Sequence, residues 1–160
     1  MALTEMIADR EVEAAKFSVT DFPTYYIWTI QAMNMNHLNH VLRPLGISTV
    51  HWRILAILQE SNGQNIGYLA ARLVVDRSNL GRMIDTLVDG GLVERREMVS
   101  DRRNSLIYMT DIGQQKVNQV FPEVKRLVDA WLDGFSDKEV STFLDMLKRM
   151  KDNVSRFPDV

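Results

Sequence analysis

The chain has 160 residues and no cysteine, with 46% hydrophobic residues, 25% charged residues and a formal net charge of −2. This fits one globular domain, or a small domain wrapped in helical extensions. It excludes a disulfide framework, thiolate metal sites and cysteine redox sensing. No apolar run approaches the roughly 18 residues that a membrane span needs, and Met1–Glu5 lacks the basic and apolar regions of a signal peptide. No membrane association and a cytoplasmic address are therefore expected.

Residues 1–20 show no strong pattern and are read as an N-terminal tail. Asp21 is placed to cap a helix, with Pro23 tolerated in its first turn. Thr24 to Arg43 runs without glycine or proline. Tyr26, Ile30, Met33 and His37 share one face and Trp28, Met35, Leu38 and Leu42 lie on another, so this helix is expected to be buried by several neighbours. Pro44-Leu45-Gly46 breaks it. Ser48 or Thr49 caps the next helix, which carries Trp52, Ile54, Leu55, Ile57 and Leu58. Asn65 caps a short helix with Ile66, Leu69, Ala70 and Leu73 at helical spacing.

Val74-Val75 leaves room only for a tight connection, and Asp76 opens the next helix. Leu80, Met83, Ile84 and Leu87 face inward, and Gly90-Gly91 ends the helix in a left-handed cap. Leu92–Arg96 and Leu106–Thr110 read as two strands joined by a polar loop that holds Asp101-Arg102-Arg103. Thr110 caps a long helix with Val117, Val120, Val124, Leu127, Val128, Trp131 and Phe135 on one stripe, and Pro122 should bend or break it. Ser136 and Glu139 form a capping-box pattern for a last helix with Val140, Phe143, Leu147, Met150 and Val154 inward.

The order predicts a mostly α fold with a small β-hairpin wing. Residues 45–110 form a winged helix-turn-helix DNA-binding domain. Residues 21–44 and 111–160 form a helical dimerisation region, since long amphipathic helices at both ends are a common way to build a two-fold dimer.

In a helix-turn-helix the first residues of the second helix meet base edges. Ser78, Asn79 and Arg82 point outward there. Arg82 suits a bidentate contact to guanine and Asn79 one to adenine. Arg77 and Ser78 suit phosphate, near the positive end of the helix dipole. From Arg72 to Arg103 seven arginines face six acids, a local net charge of only +1. The segment is no polybasic patch, but all its cations are arginine, the side chain best shaped for phosphate and guanine. Arg95 and Arg96 occupy adjacent strand positions and face opposite sides, so at most one reaches a phosphate. The plainer reading of these arginines is a solvated, charged surface.

Leu69-Ala70, Val75-Asp76-Arg77-Ser78, Arg82, Asp85, Leu87, Gly91-Leu92-Val93, Arg95, Asp101-Arg102-Arg103, Leu106 and Thr110-Asp111-Ile112-Gly113 together resemble the MarR family of bacterial transcription regulators. The resemblance runs over roughly residues 25 to 155 and is densest from 66 to 113. It implies a homodimeric regulator that binds a pseudo-palindromic operator on double-stranded DNA, usually represses, and is often released by a small aromatic or other anionic effector. It also implies that Arg103 enters the minor groove while Asp101 holds it. Two positions depart from the family pattern. Asn79 and Gly81 stand where the recognition helix often has threonine or serine, so a different operator is expected.

The resemblance further implies an effector pocket between the first helix, the second helix and the start of the fifth. Trp28, His37, His51, Trp52 and Arg53 are candidates to line it, with a cation and aromatic rings suited to an aromatic carboxylate. The plainer reading puts both tryptophans in the core and Arg53 in a structural salt bridge. His37 and His40 lie three apart on a helix, as metal ligands can. With no cysteine and no acid in that helix, no metal and no cofactor are expected. No glycine-rich phosphate loop, nucleophile elbow or catalytic cluster is present, so no enzyme is expected. The alternative of another class is a winged-helix protein-interaction module without DNA binding.

Overall fold

The computed structural model describes residues 18–98 and 101–157, with the side chains of 98 and 101–104 left aside. The chain forms two compact units that divide between Val50 and His51.

In the first unit, a 3-10 turn at Val19–Asp21 leads into α1 (Pro23–Leu42). Asp21 closes the turn and Phe22 is the N-cap, so the expected capping role of Asp21 is not realised; Pro23 opens the helix as expected. A second 3-10 turn, Arg43–Leu45, ends at Gly46 with φ 68°. Leu38, Leu42 and Ile47 are buried. Thr49, the first residue of α2 (Thr49–Glu60), is buried too, and its hydroxyl donates to Asn39 Oδ1 at 2.7 Å. Within the single chain, the neighbours expected to bury α1 do not cover it on all sides. Tyr26, Ile27, Trp28, Ile30 and Met33 are all exposed in the single chain.

In the second unit, β1 (Gln64–Asn65) precedes α3 (Ile66–Leu73) and α4 (Arg77–Asp89). The hairpin β2 (Val93–Met98) and β3 (Asp101–Met109) follows, then α5 (Asp111–Trp131) and α6 (Asp137–Val154). The sheet is antiparallel in the order β1-β3-β2. The strands are longer than expected. Met98 pairs with Asp101, so the backbone of Asp101-Arg102-Arg103 belongs to β3 rather than to a loop. A register shift at Glu97/Met98 absorbs the irregularity. The two-residue β1 was not foreseen; it pairs Gln64 with Ile107 and Asn65 with Leu106.

Three caps hold these elements in place. Asn65 Oδ1 accepts from the Tyr68 N–H at 2.8 Å. Thr110 Oγ1 accepts from the Gly113 N–H at 3.1 Å and donates to the Gly91 carbonyl at 2.6 Å, tying the start of α5 to the end of α4. Ser136 and Glu139 form the expected capping box. The core is Trp52, Ile54, Leu55 and Leu58 of α2, Leu69 and Leu73 of α3, Leu80, Ile84 and Leu87 of α4, Val93 and Ile107 of the hairpin, and Val117 and Val120 of α5. Each fully buried leucine or isoleucine contributes about 1.5–3 kcal/mol, which fixes α4 and the hairpin on one scaffold.

The apolar stripe of α5 is buried only at its start; Val128, Trp131 and Phe135 are exposed. In α6, Phe143, Met150 and Val154 are also exposed, although inward positions were expected. Apolar periodicity shows that a face will be covered and does not tell which chain covers it.

Candidate nucleic-acid interface

The helix-turn-helix is α3, a tight connection and α4. Leu69, Ala70 and Leu73 anchor α3, and Leu80, Ile84 and Leu87 anchor α4. This periodicity leaves Arg77, Ser78 and Arg82 exposed, with Asn79 half-buried between them. The connection turns on Val74, at φ 56° and ψ 53°, the one non-glycine residue with positive φ among the described residues.

Asn79 and Arg82 form a unit. The Arg82 guanidinium donates to Asn79 Oδ1, and Asn79 Nδ2 donates to Asp76 Oδ2 at 3.4 Å. Asp76 stands at the N-cap but makes no side-chain cap bond, so its carboxylate serves this line of side chains. The contact limits the rotamers of both base-reading candidates before any partner arrives. Arg77 behaves differently. Its guanidinium folds back over the first turn of α3, where a Cβ added to Gly67 would stand 3.1 Å from Nη2.

The strand arginines face different partners. Arg95 Nη2 reaches Asp85 Oδ1 of α4 at 2.6 Å. Arg96 pairs with Glu94, with Nε 2.7 Å from Oε1, and lies 4.3 Å from the centre of the Tyr108 ring. The pairing of Asp85 with Arg95 was not anticipated. Ten residues separate the two, a spacing that becomes a contact only once the hairpin folds against α4. Asp101, Arg102 and Arg103 fall in β3 by backbone, and their side chains lie outside those described.

The effector candidates do not gather on one face of either helix. Trp28 is 68% exposed, and His37 is exposed nine positions later, about half a turn round and about 13.5 Å further along α1. On α2, Trp52 is buried at 8% exposure, Arg53 is exposed and His51 is half-buried. Burial lowers the His51 pKa below its ordinary value by penalising the imidazolium. Among the described residues, no three metal-ligating side chains come together, and no single helix is long and apolar enough to cross a membrane.

A helix with a buried apolar side and an outward arginine, joined to a shorter helix by a tight turn and flanked by a β-hairpin, defines a winged helix-turn-helix fold. Residues 47–105 match the model of the MarR family. A MarR-family transcriptional regulator from Silicibacter pomeroyi superposes with a TM-score of 0.80 at 30% identity, over 94% of this chain and all of that one. The transcriptional repressor YetL of Bacillus subtilis is 28% identical over 128 residues, 78% of this chain and 77% of its own length. A MarR variant from E. coli, solved in complex with operator DNA, is 27% identical with a TM-score of 0.72, over 79% of this chain and 91% of that one. The chain belongs to the MarR family of transcription regulators.

Proposed function

We propose that this regulator acts as a homodimer on a pseudo-palindromic operator and represses until a small aromatic or anionic effector binds. The observation that carries this reading is the outward Arg82, paired with the half-buried Asn79, on a helix fixed from behind by Leu80, Ile84 and Leu87. Arg82 reads guanine, Asn79 reads adenine, Ser78 and Arg77 hold phosphate, and the wing residues Asp101, Arg102 and Arg103 extend the contact into the minor groove.

The dimer reading is supported by the exposed apolar faces of α1, α5 and α6, which a monomer would leave in water. Two copies of α4 about a two-fold axis would sit about 34 Å apart, one helical turn of DNA. The operator-bound relative from E. coli supports a DNA contact of this kind.

The test is a titration of a specific duplex with the wild type and with an Arg82→Ala/Arg103→Ala variant, beside a sedimentation measurement of each. The variant should remain a folded dimer and lose the duplex. Equal binding by both proteins would remove these residues from the interface.

A further inference from the structure

α4 contains a glycine that nothing among the described residues requires. Three glycines lie within helices of the described residues: Gly67, Gly81 and Gly113. A Cβ on Gly113 would stand 2.1 Å from the Leu92 carbonyl oxygen, and one on Gly67 would stand 3.1 Å from the Arg77 guanidinium. A Cβ on Gly81 would meet nothing within 4 Å, and Gly81 holds ordinary helical backbone with no positive φ. Alanine would fit there and favour the helix. The bare position thus lowers stability with no compensating contact among the described residues.

The surroundings of Gly81 indicate what comes close to it. Ser78 and Asp85 flank it on the outer side of α4, both exposed. Arg95 Nη2 holds Asp85 Oδ1 at 2.6 Å and lies 3.5 Å from the Gly81 carbonyl oxygen. Polar groups frame a patch of naked helix backbone on the helix that also carries Asn79 and Arg82.

We propose that Gly81 is the point of closest approach between α4 and the base-pair edges of the major groove, and that its missing side chain selects a thymine by admitting the 5-methyl group. Thymine presents the one apolar group in that groove, and a bare Cα leaves room for it. The proposal rests on the DNA-binding reading above.

The experiment selects duplexes from a randomised pool with the wild type and with Gly81→Ala, then measures each protein on each selected duplex. Gly81→Ala should melt roughly 2–4 °C higher. It should bind the wild-type duplex more weakly by roughly 5- to 150-fold per half-site, the range for one mismatched base pair, and change its preference at one base pair per half-site. Uracil in place of thymine at that base pair should weaken the wild type and narrow the gap between the two proteins. If both proteins select the same sequence with the same affinity, the role of Gly81 is overturned while the DNA-binding reading stands. If uracil leaves wild-type affinity unchanged, the methyl assignment is overturned. If the wild type enriches no sequence, the DNA-binding reading fails and takes this proposal with it.

Discussion

Arg95 of β2 reaches across to α4 and pairs with Asp85 at 2.6 Å. The wing is therefore fastened at its root to the helix beside it. Both side chains are partly exposed, so the pair itself adds no more than about 1 kcal/mol to stability. Its greater effect is on geometry, because a wing free to pivot on α4 would not present its tip and α4 to one duplex together. Asp85→Asn and Arg95→Gln should each weaken specific DNA binding by roughly fivefold, about 1 kcal/mol. The double variant should lose little more than either single one. The salt dependence should stay as in the wild type, because Arg95 is engaged with Asp85 rather than with phosphate. A salt slope that falls in Arg95→Gln would reassign Arg95 to the backbone.

Arg82 and Arg77 should separate by the same kind of measurement. Arg82→Ala should cost about 1–3 kcal/mol of specific binding and relax the preference at its base pair. Arg77→Gln should weaken binding to all sequences alike and reduce the slope of log K against log salt by about 0.9 per protomer, about 1.8 for the dimer. Affinity on specific and scrambled duplexes across a salt series checks both.

Val74 holds a left-handed conformation that disfavours a β-branched residue, and it is 88% exposed. Little packing would be lost on truncation. Relief of about 1–2 kcal/mol of backbone strain exceeds the roughly 0.5–1 kcal/mol of extra chain entropy that glycine brings. Val74→Gly should therefore raise stability by up to about 1 kcal/mol. Urea unfolding should show a higher midpoint with an unchanged slope.

His51 has a folded-state pKa below its unfolded value because burial penalises the charged ring. As pH falls below the unfolded value of about 6.5, the unfolded chain takes up this proton before the folded one does. The contribution of His51 is thus fully present above that pH and is lost as pH falls through the folded pKa. His51→Gln should flatten the stability profile as pH falls below about 6.5. Unfolding at a series of pH values checks this, and parallel profiles for variant and wild type would exclude His51 as the source.

The helices of this chain were legible because their signals are local. Asn65, Thr110 and the Ser136–Glu139 box cap the helices that their side chains promised. The outward set Arg77, Ser78 and Arg82 followed from the burial of Leu80, Ile84 and Leu87. What escaped depends on partners distant in sequence. β1 is two residues long and has no period; only its pairing with β3 makes it a strand. The backbone of Asp101–Arg103 reads as a polar loop until Met98 pairs with Asp101. Asp21 resembles a cap, but the chain closes a 3-10 turn first and leaves Phe22 at the helix entrance. The stripes of α1 and α6 were read as inward because periodicity alone cannot distinguish burial within a chain from burial against another.

The central claim is sequence-specific DNA binding through α4 and the wing. The most direct test is equilibrium binding of the purified full chain to the DNA upstream of its own gene and to a scrambled duplex of equal length, over a range of salt. The account predicts tight binding to the first duplex, weak binding to the second, and a steep loss of affinity as salt rises. Absence of binding to either duplex at low salt would contradict it and favour a protein-interaction module built on the same fold.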